Sequence, residues 1–184
     1  MTTLVFFLEE PSAKAMLQGI LPKLLPENVL SKFIVFEGKQ DLEKQLVRKM
    51  RLWNRPGESR FIVLRDQDAG DCRMIKRNLL DKCQEAGRPD AIVRIACHEL
   101  ESFYLGDLRA VEQGLALKGL AKKQNERQYR EPDNFPSPAN KLSMLTKKCY
   151  EKVSGSRAIG RYLNIDNNCS RSFNVLVKAI KDIG

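Results

Sequence analysis

Phe61-Ile62-Val63-Leu64-Arg65-Asp66-Gln67-Asp68-Ala69-Gly70-Asp71 is the stretch on which the fold turns. A short apolar run of branched and aromatic residues, bounded by turn residues and too brief for a helix, reads as a buried strand. Two more runs follow the same plan. Leu4-Val5-Phe6-Phe7-Leu8 stops at Glu9 and Glu10, and Ala91-Ile92-Val93-Arg94-Ile95-Ala96 stops just ahead of Glu99 and Glu101. Runs without polar alternation belong to strands covered on both faces, the habit of parallel sheets. Parallel strands end at one rim, where open α/β sheets place their sites. The acids of all three runs are therefore expected at that rim.

Helical patterns fill the intervals. Pro11-Ser12 opens a helix with Ala13, Ala15, Met16, Leu17, Ile20, Leu21, Leu24 and Leu25 at helical spacing, kinked or ended by Pro22. Phe33-Ile34-Val35-Phe36 is a further strand, closed by Gly38. From Asp41 to Trp53, Leu42, Leu46, Val47, Met50 and Trp53 share a helical face, and Asn54-Arg55-Pro56-Gly57 is a turn. Asp71 stands at the start of a third helix, with Met74, Ile75, Leu79, Leu80 and Cys83 as its stripe and Gly87 as its end.

The order β-α-β-α-β-α-β implies right-handed crossovers and an α/β fold. We expect about four parallel strands in the order 2-1-3-4, with helices on both faces. Residues 1–117 form this core, and 118–184 a basic, mainly helical extension packed on it. Short helices are expected at 98–104 and 107–117, then an aperiodic polar stretch at 118–139, functional or mobile because of its length. Helices near 140–152, 156–163 and 170–182 follow, the last with Ser170 as N-cap.

At 184 residues, 42% apolar and 30% charged, the chain has the composition of one globular domain. No apolar stretch approaches the ~20 residues that cross a bilayer. The opening run lacks a basic leader and reads as a strand rather than a signal peptide, so a cytoplasmic protein is expected. Five cysteines without a Cys-x-x-Cys pair argue against a disulfide framework or structural zinc, and are read as small buried residues. The charge is lopsided. Residues 118–184 hold 14 Lys+Arg and 6 Asp+Glu, a net +8, against 18 and 17 in residues 1–117. A basic surface beside an acidic rim suits an enzyme acting on a polyanion such as nucleic acid; the plainer reading is solubility or an acidic partner.

Two carboxylates two apart at a strand end point the same way, so Asp66 and Asp68 are expected to share a hard cation, Mg²⁺ or Mn²⁺. In the order 2-1-3-4 the first strand lies beside the third, which adds Glu9 or Glu10 to the cluster. Asp71 is a further candidate ligand. Glu99 and Glu101 are candidates for a second metal or a general base. On a helix they diverge by about 200°, and we expect Glu99, nearer the strand end, to face the site. Lys14, Lys39, Arg157, Arg161 and Arg171 are candidates for holding phosphates, Arg171 within Ser170-Arg171-Ser172 at a helix start. His98, the single histidine, has no partner for a hydrolase triad. A phosphoacceptor receiver would need Ser or Thr after strand four, where Cys97-His98 stands, and a Lys after a fifth strand that is not evident.

The Glu ending strand one and the Asp-x-Asp ending strand three resemble the Toprim domain of topoisomerases, primases and OLD-type nucleases. The resemblance implies Mg²⁺-dependent strand chemistry on nucleic acid. In that family the Glu is usually followed by Gly; here Glu9 takes the first place and Glu10 the second, so either is a candidate ligand. Nearly the whole chain is similar to an uncharacterised bacterial family of Toprim-like domains. The likeness is carried by Glu9-Glu10-Pro11-Ser12, Gly38-Lys39-Gln40-Asp41-Leu42, Asp66-Gln67-Asp68 with Asp71-Cys72, Glu99 to Asp107, and Ser170-Arg171-Ser172-Phe173. That likeness implies an ABC- or SMC-like ATPase partner in phage defence. The expected activity is a nuclease-like effector, the alternative a non-catalytic Toprim-fold subunit.

Overall fold

The computed structural model of the chain describes residues 2–54 and 58–183. The turn expected at 54–57 falls on Arg55-Pro56-Gly57, outside those residues. Strands β1 (Thr2–Leu8), β2 (Val29–Val35), β3 (Ser59–Asp66) and β4 (Ile92–Ala96) form one all-parallel sheet in the order β2-β1-β3-β4, as the alternation of runs and helices predicts. Leu8 lies opposite both Val35 and Leu64, and Asp66 opposite Ala96. This register brings the carboxyl ends of β1 and β3 level.

Side chains alternate between two cores. Val5, Phe7, Phe61, Val63 and Val93 pack with α2 (Lys39–Arg51) and α3 (Cys72–Glu85). Leu4, Phe6, Leu8, Ile62 and Leu64 face α1 (Pro11–Ile20) and the C-terminal half. Leu4 to Leu8 are wholly buried. Each large apolar side chain so buried contributes roughly 1.5–3 kcal/mol, so the sheet's stability concentrates in its central strands.

The C-terminal half continues as α4 (Ser102–Leu105), α5 (Leu108–Gly114), α6 (Pro138–Leu145), α7 (Lys152–Gly160) and α8 (Arg171–Lys181). Leu120, Tyr129, Leu142, Ile159 and Phe173 join the same cluster as Leu4 and Phe6. Backbones of α1 and α7 touch directly: a Cβ on Gly19 would stand 2.5 Å from the carbonyl carbon of Gly160, and one on Gly160 2.8 Å from the Met16 oxygen.

Several expectations are corrected. Residues 118–139, read as an aperiodic stretch, contain three 3-10 turns, Ala121–Asn125, Arg127–Tyr129 and Pro132–Asn134. Gln124 pins them by accepting from Leu108 N–H at 2.7 Å and donating to the Tyr129 carbonyl at 2.9 Å, while Glu112 accepts from Leu120 and Ala121 N–H. The ending of α1 at Pro22, by contrast, is as expected: the helix stops at Ile20, and Leu21–Lys23 tightens into a 3-10 turn. Met74 and Leu80 are exposed rather than part of the α3 stripe. Only Cys83 is fully buried; Cys72 and Cys97 are half-buried, and Cys149 and Cys169 are exposed. Among the described residues no helix is long and apolar enough to cross a membrane.

Candidate metal and phosphate site at the carboxylate rim

Glu9 is the hub of the rim. It follows the last residue of β1, is nearly buried, and its Oε2 accepts the backbone N–H of Asp66 at 3.0 Å. It thereby satisfies a donor left free where β3 runs out of partners. Burial pushes its carboxyl up, and the neighbouring charges of Asp68 and Glu10 add to the shift, against the hydrogen bond from Asp66. Glu10 instead caps outward. Its carboxylate binds the Lys152 ammonium at 2.6 and 2.9 Å and accepts from the Ser12 hydroxyl at 3.2 Å.

Asp66 and Asp68 do not point the same way. Asp66 is the last strand residue, and the chain then leaves the strand, with Asp68 in a left-handed conformation at φ 54°. The two-residue parity of a strand ends one residue too soon. The Asp66 carboxyl is driven well above its usual range, first by burial and then by Glu9 and Glu101, while the Leu100 N–H opposes the rise. Asp68 turns to α2, where its Oδ2 meets Lys39 Nζ at 2.7 Å. His98, also left-handed at φ 57°, ties the two loops: its carbonyl accepts Asp68 N–H at 2.6 Å, and its Nδ1 lies 3.2 Å from the Asp68 carbonyl.

The preference between the two acids after β4 is reversed. Glu99 accepts the Ala139 N–H at 2.7 Å and anchors the start of α6. Glu101 is the one that faces inward: it is wholly buried, and its field reaches Asp66. Burial raises its carboxyl, opposed by a 2.8 Å hydrogen bond from Tyr150 Oη, and its other oxygen, Oε2, has no partner among the described residues. Asp71 is no metal ligand in this arrangement. It caps α3, accepting from Met74 and Arg73 N–H, which lowers its carboxyl.

Of the basic candidates, Lys39 reaches the rim. Lys14 lies over the Phe33 ring of β2, 5.9 Å from its centroid, beside the sheet edge. Arg157 on α7 and Arg161, the residue that follows its end, are exposed, four residues apart and on one side. Arg171 is exposed at the start of α8 on the β4 side. The phosphate cradle expected at Ser170-Arg171-Ser172 is already filled from within: Asp133 accepts Ser172 N–H at 2.8 Å and Ser170 Oγ–H at 2.6 Å.

Three participants escaped the sequence reading. Lys152 and Tyr150 stand 140 or more positions from Glu10 and more than 80 from Asp66, and only the return of the chain along α1 brings them in. Burial works to lower the Lys152 ammonium, yet Glu10, Glu101 and Asp66 together hold it up. Arg65 is the third. It is buried beneath the rim, bonds Glu43 of α2, and lies 3.9 Å from Glu9.

Five carboxylates thus crowd the rim against Lys39, Arg65 and Lys152. Among the described residues no three of the acids are drawn together in ligating geometry. Their chemistry nevertheless suits a hard divalent ion: all donors are oxygens, and buried acids that raise one another's pKa are relieved by a cation. A gap of about 10 Å³ between Glu9, Glu10, Asp66 and Leu100 has room for one water-sized species.

Fold and rim together define a parallel α/β protein with an acidic, lysine-tempered cluster at the carboxyl edge of its sheet. The chain belongs to a family described as a domain of unknown function, DUF4276, whose model matches residues 8–181. No curated protein and no solved structure matches it.

Proposed function

We propose that the chain is a Toprim-like, metal-dependent effector that cleaves phosphodiesters in nucleic acid. The observation that carries this reading is the pairing of Glu9 with Asp66 at adjacent strand ends, the first buried and the second half-buried, both with raised pKa, and both in the field of further acids. Glu9, Asp66 and, once Lys39 lets go, Asp68 would hold Mg²⁺ or Mn²⁺. When bound, such an ion supplies a Lewis acid for the phosphoryl oxygens and a more acidic water. Lys39 and Lys152 flank the acids and would meet the non-bridging phosphate oxygens. Arg157 and Arg161 lead away from the rim along α7 as a track for the backbone. Buried Glu101, held by Tyr150, has a carboxyl raised by burial, the direction that suits a general acid or base.

The resemblance brings with it an ABC- or SMC-like ATPase partner and a part in phage defence, which co-purification with the neighbouring gene product would test. The activity itself is tested by incubating the protein, alone and with that partner, with single- and double-stranded DNA and with RNA in Mg²⁺ or Mn²⁺. Cleavage lost in Asp66→Asn and in Glu9→Gln is expected; no cleavage under any of these conditions sinks the reading.

One observation favours a second reading, a non-catalytic binding subunit of the same fold. Lys39 and Lys152 already neutralise two of the acids, as a site kept for structure would have it. Calorimetric titration with Mg²⁺ and Mn²⁺ separates the two, since the scaffold binds neither.

A further inference from the structure

Strand β4 is an edge of the sheet, paired only with β3. Its Ala96 carbonyl accepts the Gln67 N–H that follows β3, so Ala96 and, by the period of two, Arg94 turn their backbone groups inward. Val93, Ile95 and Cys97 then turn theirs outward. Two of the outward groups are capped: Cys97 N–H meets Ser172 Oγ at 3.3 Å, and the Val93 carbonyl accepts from Arg94 Nη1 at 3.0 Å. Both groups of Ile95 find no partner among the described residues, whereas Val93 is buried, with 1% of its surface exposed.

This edge is the floor of a groove of about 250 Å³, walled by α3 on one side and α8 on the other. Ile95 and Val175 supply apolar surface, and Val175 is 43% exposed. Arg73, Lys76, Arg94 and Arg171 stand round it against a single carboxylate, Asp133, which is already spent on the start of α8. Native sheets usually blunt such an edge with a cover or a bulge. Here the strand is regular, and the surrounding charge is of one sign.

We propose that this groove binds an acidic, extended segment of a partner protein, added to the sheet as a fifth strand beside β4. Main-chain bonds to Ile95 would fix the segment, and pockets against Val175 and Ile95 would take alternate side chains. The four cations would choose acidic residues between them. Single-stranded nucleic acid would satisfy the charges but not the outward groups of Ile95 or the apolar floor, which favours the peptide. The site is separate from the carboxylate rim and does not depend on its chemistry.

The test is selection from a random decapeptide library on the intact chain, followed by affinity measurement on variants. Enriched peptides should alternate acidic with branched or aromatic residues, and slow amide exchange at Ile95 when bound. Ile95→Pro removes the outward donor, which an edge strand tolerates, together with the Ile95 side chain of the groove floor, and should weaken binding at least ~10-fold, as expected when a charge-flanked main-chain bond is lost. Val175→Asp, on an exposed helix face, should do the same by repulsion and guards against a fold defect in the first variant. The proposal is overturned if no peptide is enriched, if those enriched are neutral or basic, or if they bind both variants as well as the parent chain. It is equally overturned if a (dT)10 oligonucleotide perturbs the Ile95 amide while the peptides do not.

Discussion

The carboxylate of Glu9 accepts the backbone N–H of Asp66 at 3.0 Å, so the end of one strand is completed by a side chain from its neighbour. This bond gives Glu9 a structural duty beside any chemical one, and the two come apart by mutation. Glu9→Gln keeps an acceptor for the Asp66 N–H and removes a charge from a crowded rim. Glu9→Ala leaves the donor buried and unmet, which costs about 1–3 kcal/mol. Urea denaturation should therefore show Glu9→Ala clearly destabilised and Glu9→Gln close to the parent, while neither binds metal. Equal loss in both variants would mean that the charge, not the hydrogen bond, holds the rim.

Asp66 sets the sign of the pH dependence. Its carboxyl is raised from the ordinary 3.8 by burial and by the charges of Glu9 and Glu101. The folded state thus prefers the protonated acid, and that stabilisation is complete below pH 3.8 and lost as pH climbs through the raised value. Asp66→Asn mimics the neutral acid at every pH. In EDTA it should melt higher than the parent at pH 8, by about 2–4 °C per kcal/mol relieved, and the advantage should fade as the buffer is acidified. A Tm difference that stays constant with pH would contradict the assignment.

The sheet was legible because its central strands are apolar on both faces and each run is closed by acids. Strand parity, by contrast, misplaced Asp68: the parity holds only while the chain is extended, and Asp68 already lies in the left-handed region. Glu99 and Glu101 were separable as diverging, but which one turns inward depends on where α6 and Tyr150 arrive, and no local pattern records that. The same is true of Lys152, whose charge compensates Glu10 across 142 positions of sequence.

Metal should compete with lysine at the rim. The Lys39–Asp68 pair is well exposed on both sides, so its loss costs at most about 1 kcal/mol. Lys39→Met should leave the fold intact, free Asp68, and strengthen Mg²⁺ binding several-fold. At a concentration 100 times the dissociation constant a bound ion stabilises by about 2.7 kcal/mol, a rise of roughly 5–10 °C in a chain of this size. Thermal melts with Mg²⁺ and Mn²⁺ read this directly. If neither the parent nor Lys39→Met responds to either ion, the rim is a scaffold.

Lys152 can reach Glu10 only because α7 lies backbone to backbone on α1, and that closeness rests on two glycines. A Cβ at position 19 would stand 2.5 Å from Gly160, and one at position 160 would press on the Met16 carbonyl at 2.8 Å. The obstacle in both cases is main chain, which cannot turn aside as a side chain would, so α7 itself must move. Gly19→Ala and Gly160→Ala should each destabilise the chain by about 1–3 kcal/mol, the usual result of overpacking, despite the better helix propensity of alanine. Because the displaced helix carries Lys152, the Glu10–Lys152 bond should loosen in both variants while Lys39–Asp68 stays. Nζ chemical shifts of the two lysines, measured beside the urea melts, distinguish this local displacement from a general loosening, in which both lysines would shift together.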